Sequence, residues 1–244
     1  MGFVSDMKIL YHMLLKPVRG SNHAERMESF YGDQAHDYDD FRRRLLKGRE
    51  ELWQKLPKDE GCIWVDMGGG TGANIENFGD DIGNPAKIYV VDLSSSLLKV
   101  ASDRFQQKGW DNVVTCEADA TKFVPEEGYA DVVTFSYSLT MIPNWFAAIE
   151  HAKKILKPGG MIGVVDFYVS RKYPAENLKR HSWFTRTIWP PWFATDNVFP
   201  SADHLPFLRH NFATSYVNES NNRLPYVPLI RTPYYVFTGI KGAE

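Results

Sequence analysis

Cysteine is scarce in this chain: 244 residues carry two, Cys62 and Cys116. A disulfide framework is therefore excluded as the organising device, and both thiols fall in apolar runs that read as buried strands, favouring reduced cysteines and an intracellular setting. Charge of one sign is lacking too. The net charge of −2 gives no whole-chain case for nucleic acid. No apolar run approaches the roughly 20 residues needed to cross a bilayer. The N-terminal stretch Met7 to Leu15 is interrupted by Lys8 and His12, unlike a cleavable signal. Met1-Gly2 is followed at the sixth position by Asp6, which fails the myristoylation pattern. No G-x-S-x-G is present, which disfavours a lipase-like hydrolase. The histidines are scattered without ligand spacing, so no metal site is expected. No internal repeat or low-complexity segment occurs.

What is present is organised around Ile63-Trp64-Val65-Asp66-Met67-Gly68-Gly69-Gly70-Thr71-Gly72. A short apolar run ends in a carboxylate, and glycines then crowd the turn into a helix. Glycine lets the backbone bend tightly and approach a ligand closely. A second apolar run, Ile88-Tyr89-Val90-Val91, ends in Asp92, placed to accept from ribose hydroxyls. Gly68, Gly70 and Ala73 also satisfy the dinucleotide fingerprint, so NAD is a competing reading. Asp66, two residues before the first glycine, would repel a pyrophosphate and suits a cationic amino-acid end. Glu117-Ala118-Asp119-Ala120 follows a third apolar run and puts a carboxylate near a base amino group. Leu156-Lys157-Pro158-Gly159-Gly160 turns a helix into another strand. Together these resemble the class I S-adenosylmethionine (AdoMet) methyltransferases.

The pattern from residue 62 alternates as a parallel doubly wound sheet requires. The expected elements are strand 62–67, helix 72–79, strand 87–92, helix 95–108, strands 112–117 and 130–136, helix 144–156 and strand 160–167. Ser94 is a good N-cap for helix 95–108 and Gly109 a good stop. Residues 168–211 then break the alternation with aromatic, proline and basic residues, before two closing antiparallel strands near 212–218 and 234–240. Upstream, Phe3, Met7, Leu10 and Leu14 give residues 3–16 helical spacing. A second helical region spans 22–56, where Phe41, Leu45, Leu52 and Leu56 line one face. Its charges, Arg42, Arg43, Arg44, Lys47 and Arg49, read first as a solvated face. The expected fold is α/β: a Rossmann-like, seven-stranded methyltransferase sheet with N-terminal helices and an aromatic-rich insertion. Residues 1–56 form a membrane- or substrate-facing helical segment, 57–244 the AdoMet-dependent domain, and 168–211 its substrate cover.

The resemblance assigns the cofactor contacts to Asp66, Gly68, Gly69, Gly70, Thr71, Gly72, Asn74, Asp92, Leu93, Asp119, Ala120, Ser136 and Tyr137. In-line methyl transfer asks chiefly for alignment and exclusion of water, with S-adenosylhomocysteine as product. An amine acceptor must also lose its proton, by a base or by desolvation. Tyr31, Tyr38, Tyr137 and His181 are the candidates for that help, each with packing as its plainer alternative. Trp183, Trp189 and Trp192 are candidate substrate contacts, because alkylated ammonium is drawn to aromatic faces.

Three runs narrow the resemblance further. They are His23-Ala24-Glu25-Arg26-Met27-Glu28-Ser29-Phe30-Tyr31-Gly32, Tyr38-Asp39-Asp40-Phe41-Arg42-Arg43-Arg44-Leu45-Leu46-Lys47-Gly48-Arg49 and the tryptophan-rich segment from Lys179 to Pro200. With the glycine loop and Leu14 to Gly20, they are similar to the N-methyltransferase part of betaine lipid synthase. The resemblance implies three methyl transfers converting diacylglyceryl-homoserine to diacylglyceryl-N,N,N-trimethylhomoserine. It implies a partner activity, a 3-amino-3-carboxypropyl transferase, separate or fused. It also implies peripheral attachment to the cytosolic face of an endomembrane, the endoplasmic reticulum in a eukaryote, with no nucleic acid involved. The alternatives are a methyltransferase for a soluble amine or quinone-like acceptor, and a non-catalytic AdoMet-binding partner domain of a larger synthase.

Overall fold

Strands buried on both faces read as near-continuous apolar runs, and β1 (Ile63–Met67) is buried throughout, its one carboxylate, Asp66, included. Around it stand β2 (Lys87–Asp92), β3 (Val113–Glu117), β4 (Ala130–Ser136), β5 (Leu156–Phe167), β6 (Ala213–Leu224) and β7 (Val227–Ile240). The sheet runs β3-β2-β1-β4-β5-β7-β6. Strands β1 to β5 are parallel to their neighbours, and β7 pairs antiparallel with both β5 and β6. The α/β doubly wound architecture expected from the alternation is the one observed. The computed structural model describes residues 45–195, 197–224 and 227–243. The helices expected over 3–16 and the first part of 22–56 lie outside these residues, as do Tyr31 and Tyr38.

Two apolar layers cover the sheet. On one face Trp64 stacks on Trp53 of α1 (Arg49–Gln54), with ring centroids 6.0 Å apart, and meets Phe78 edge-on at 4.7 Å. Leu97, Leu98, Ala101 and Phe105 of α2 (Ser95–Lys108) complete that layer. The other face holds Val65, Met67 and Phe135 under Ala148, Ile149 and Ala152 of α3 (Trp145–Ile155). Helix α2 begins and ends as its caps dictate: the Ser94 side chain accepts from Leu97 N, and Gly109 takes a left-handed conformation.

Three elements depart from the expected boundaries. The helix after the glycine turn is a 3-10 stretch, Ala73–Gly83, interrupted at Gly79, whose φ of 59° and ψ of −130° are non-helical. Strand β5 starts at Leu156, opposite Ala130; a register shift then separates that pair from Val132–Met161, so 157–160 loops out. Lys157 anchors the excursion on Asp131 at 2.9 Å. The closing strands run much longer than expected, because the polar residues of β6 find partners in the chain ahead of β1. Tyr216 Oη and Asn218 Nδ2 donate to Glu51 at 2.6 and 2.7 Å, and Asn222 Nδ2 donates to the Leu45 carbonyl at 2.9 Å.

Residues 168–211 form two helices, α4 (Trp183–Ala194) and α5 (His204–Asn211), on opposite faces of the sheet. His204 is fully buried edge-on to Trp145, and neither ring nitrogen has a hydrogen-bond partner among the described residues. Burial pushes its pKa down to about 3. The unfolded chain protonates this ring near its ordinary 6.5 and the folded chain does not. Its contribution is therefore intact at neutral pH and lost as pH falls from 6.5 towards 3. Asp166 and Asp66 act oppositely, since burial raises their carboxyls to about 7 and about 6. His204→Phe should raise stability at pH 7 by about 1–2 kcal/mol and flatten the acid loss between pH 7 and 5. Denaturant melts of both proteins at the two pH values isolate the ring, and parallel curves would show that it is not the source.

Candidate active site

The carboxyl ends of β3, β2, β1 and β4 lie side by side, and the expected cofactor residues fall along that edge. After Met67 the turn is stitched to β2: Gly68 N and Gly69 N both donate to the Val91 carbonyl, at 2.8 and 3.0 Å. Gly68, Gly70 and Gly72 have φ of 70°, 57° and 68°, a region that side-chain-bearing residues rarely enter. Space is short as well. A Cβ on Gly68 would stand 2.4 Å from that of Ser138, and one on Gly72 would stand 2.3 Å from Phe105 Cζ.

Asp92 meets the turn directly. Its Oδ2 accepts from Gly70 N at 2.9 Å and its Oδ1 from Ser94 N at 3.0 Å. Two features found separately in the sequence thus form one surface, with half-buried Leu93 beside it. Ala118 N donates to the Asp92 carbonyl at 3.0 Å, bringing the β3 loop alongside. There Asp119 caps its own turn, with Oδ1 accepting from Thr121 N and Oγ1, both at 2.8 Å, and Ala120 is buried behind it. Thr71 is buried, its carbonyl accepting from Arg104 at 2.9 Å.

Asp66 lies beneath the turn rather than at its surface. Its carboxylate is fully buried, accepting from Thr134 Oγ1 at 2.7 Å and Asn74 Nδ2 at 3.1 Å. Burial lifts its pKa to about 6 against those two hydrogen bonds and the Arg49 charge. Asp66 therefore reaches the site through Asn74. The Asn74 Oδ1 accepts from Ser136 Oγ at 3.4 Å, and Ser136 Oγ accepts from Arg49 Nε at 3.0 Å. The chain Asp66–Asn74–Ser136–Arg49 joins β1, the 3-10 stretch, the end of β4 and α1.

Arg49 is the site residue that charge reading missed, because it stood at the end of a basic run. A signal was there: Leu45, Arg49, Leu52 and Leu56 follow one helical stripe, so a cation occupies an apolar face. The guanidinium also lies 5.5 Å from the centre of the Tyr137 ring.

Two candidate bases are set up for other work. Tyr137 has φ of 56°, its N–H donates to Val165, and its buried hydroxyl donates to the Lys47 carbonyl at 2.6 Å. Burial drives its pKa well above 10, away from what a proton acceptor needs. His181 Nδ1 accepts from Ser170 N at 3.0 Å, which leaves the ring proton on Nε2. Burial lowers its pKa, and the ring meets Tyr168 at 5.0 Å. Tyr137 and His181, the two candidate proton acceptors among the described residues, are thus both held by main-chain hydrogen bonds.

The tryptophans separate. Trp189 is buried, stacked on Phe193 at 5.2 Å and edge-on to Trp192 at 6.3 Å, whereas Trp183 is 71% exposed. The three do not converge on one cage, since six residues along a helix turn Trp183 away from Trp189. Instead a run of rings leads from the edge: Tyr137 to Phe167 at 4.7 Å, Phe167 to Phe193 at 4.5 Å, then Trp189.

These residues fit a cationic nucleoside. Tight glycines present backbone N–H groups, and Asp92 and Asp119 offer acceptors for ribose and base, while the buried Asp66 carboxylate would oppose a pyrophosphate. Residues 20–190 match the model of the ubiE/COQ5 methyltransferase family. The ubiquinone/menaquinone biosynthesis C-methyltransferase UbiE of Pseudomonas fluorescens (strain SBW25) is 30% identical over 169 residues, covering 67% of this chain and 66% of that protein. The chain thus spans just under two thirds of that relative's length. Among solved structures, a SAM-dependent methyltransferase from Aquifex aeolicus aligns with TM-score 0.59 at 17% identity, over 85% of this chain and 97% of that one. The Haemonchus contortus phosphoethanolamine N-methyltransferase 2, in complex with S-adenosyl-L-methionine, aligns with TM-score 0.68 at 13% identity, over 93% and 61%. At these identities the two structures establish the shared fold.

Proposed function

We propose a substrate for a chain that belongs to the ubiE/COQ5 methyltransferase family, whose methyl donor is AdoMet: the amine of diacylglyceryl-homoserine, methylated in three steps to diacylglyceryl-N,N,N-trimethylhomoserine. The observation that carries this reading is the run of rings from Tyr137 through Phe167 and Phe193 to Trp189, one strand along from the glycine turn. Aromatic faces attract alkylammonium, and more usefully as successive methyl groups remove its N–H donors. The resemblance to the N-methyltransferase part of betaine lipid synthase supports the same acceptor.

AdoMet supplies a methyl group already activated on a sulfonium. The protein's part is to hold and align. Asp92 and the Gly70 N–H form the ribose-side contact, and Asp119 lies at the base side. Asp66 keeps Asn74 and Ser136 oriented, and Arg49 brings positive charge beside Ser136 and Tyr137, which suits a carboxylate. The amine gives its proton to water on entry, and again after the first and second transfers, because desolvation against Phe167, Phe193 and Trp189 favours its neutral form.

A second reading, a quinone-like acceptor methylated at carbon, is favoured by the relatives named for ubiquinone and menaquinone biosynthesis. Methyl-labelled AdoMet, offered with diacylglyceryl-homoserine in mixed micelles, separates the two. Mono-, di- and trimethylated lipid by mass spectrometry is the expected result. Transfer to a demethylated quinol, with none to the amine lipid, would replace this proposal by the second reading.

A further inference from the structure

Helix α4 is apolar on two sides. Its inner side, Trp189 and Phe193, is buried against Phe167. On the outer side Phe184, Ile188 and Trp192 recur at four-residue spacing, and they are 59%, 41% and 44% exposed. Trp183, more exposed still, stands beside Phe184. A surface helix ordinarily turns polar residues outward. Apolar rings gathered on an outer face mark a surface that something covers.

Its surroundings say what. Between residues 171 and 186 five basic side chains (Arg171, Lys172, Lys179, Arg180 and Arg186) face one acid, Glu176, and α4 itself carries no acid. Arg171 is paired with Asp203, and Lys179 reaches the Glu219 carbonyl. Lys172 and Arg180, by contrast, bracket exposed Tyr173, 5.3 and 5.7 Å from its ring centre. This loop is closed at its neck. Ser170 N donates to His181 Nδ1 at 3.0 Å, and His181 N donates to Ser170 Oγ at 2.8 Å. Ser182 caps α4 immediately afterwards, so the basic loop rises beside the helix's exposed first turn. Tryptophan, phenylalanine and tyrosine interleaved with Lys and Arg form the composition that suits a lipid headgroup boundary, where the rings enter and the cations meet anionic lipid.

We infer that the outer face of α4 and the 171–180 loop dock on an anionic bilayer surface. The inference rests on the lipid-acceptor reading above and adds the site of contact. It also explains why that face is on this helix. The inner side of α4 roofs the rings that lead to Tyr137 and Arg49, so docking sets the acceptor end of the site against the membrane.

Sedimentation of the full chain with phosphatidylcholine vesicles, with and without phosphatidylglycerol, tests this. The wild-type chain should pellet with the anionic vesicles and be released by salt. Phe184→Ser with Ile188→Ser should lower partitioning at least tenfold. Lys172→Glu with Arg180→Glu should abolish the preference for anionic lipid. Both variants alter exposed groups and should keep the wild-type melting temperature and affinity for S-adenosylhomocysteine. Unchanged partitioning of either variant would overturn the inference. So would a serine variant that converts a dimer to a monomer without altering vesicle binding, which would assign the face to a second copy. Deletion of residues 1–44 that alone abolished binding would move the contact to that segment. Failure of this inference is distinguishable from failure of the acceptor assignment. A chain that methylates the amine lipid in micelles but ignores vesicles rejects the docking face alone. One that binds vesicles through α4 yet methylates no lipid amine rejects the acceptor alone.

Discussion

Asp92→Ala is expected to weaken binding of AdoMet and S-adenosylhomocysteine about 100-fold, roughly 2.7 kcal/mol. The carboxylate does two things. Its oxygens accept from Gly70 N and Ser94 N, which fixes the turn against the start of α2. It also presents negative charge at the end of β2, where ribose hydroxyls would donate to it. Alanine removes both, and the buried donors left behind cost about 1–3 kcal/mol of stability. Asp92→Asn keeps an acceptor without the charge and should fall between. Calorimetry with S-adenosylhomocysteine reads the affinity, and a thermal melt reads the stability. Wild-type affinity in the alanine variant would take Asp92 out of the site.

Gly72→Ala should be more damaging to the fold. At φ of 68° a side chain costs about 1–2 kcal/mol. The added Cβ would lie 2.3 Å from Phe105 Cζ and 3.2 Å from Ala101 Cβ, both on the buried face of α2. Overpacking of this kind adds about 1–3 kcal/mol. The loss, about 2–5 kcal/mol, corresponds to a fall in melting temperature of roughly 10 °C in a chain of this size. Cofactor affinity should fall with it, because α2 carries Ser94, the partner of Asp92. Gly83→Ala is the control: its φ is not positive and nothing lies within 4 Å of its added Cβ. Equal melting temperatures for the two variants would show that the turn accommodates the methyl group.

The parallel half of the sheet and the glycine turn at its carboxyl edge were legible because each rests on local chemistry. A strand buried on both faces is mostly apolar, a close approach needs glycine, and Ser94 and Gly109 cap α2 by their own side chain or lack of one. What escaped depends on partners distant in sequence. The polar run Asn218 to Asn222 argues against a strand until Glu51 and the Leu45 carbonyl are seen to receive its amides. Arg49 looks like one of several solvated cations until Ser136 and Tyr137 appear beside it. Nothing near Tyr137 in the sequence announces that its hydroxyl is held by the Lys47 carbonyl. Composition marked 168–211 as a break in the alternation but not how its helices divide between the faces of the sheet. Helix α4 buries Trp189 and Phe193 on one face, while α5 buries His204 and Leu208 on the other.

The Ser170–His181 neck has a consequence for how this chain can vary. Two hydrogen bonds join the ends of residues 171–180 at their root, while Arg171–Asp203, Lys179–Glu219 and Arg209–Glu176 tie the loop to the start of α5, to β6 and to α5 itself. Changes confined to exposed Lys172, Tyr173 and Arg180 leave all of these ties in place. Descendants of this sequence, or an engineer, could therefore alter those three side chains without redesigning the segment, provided that a serine and a histidine still meet at the gate.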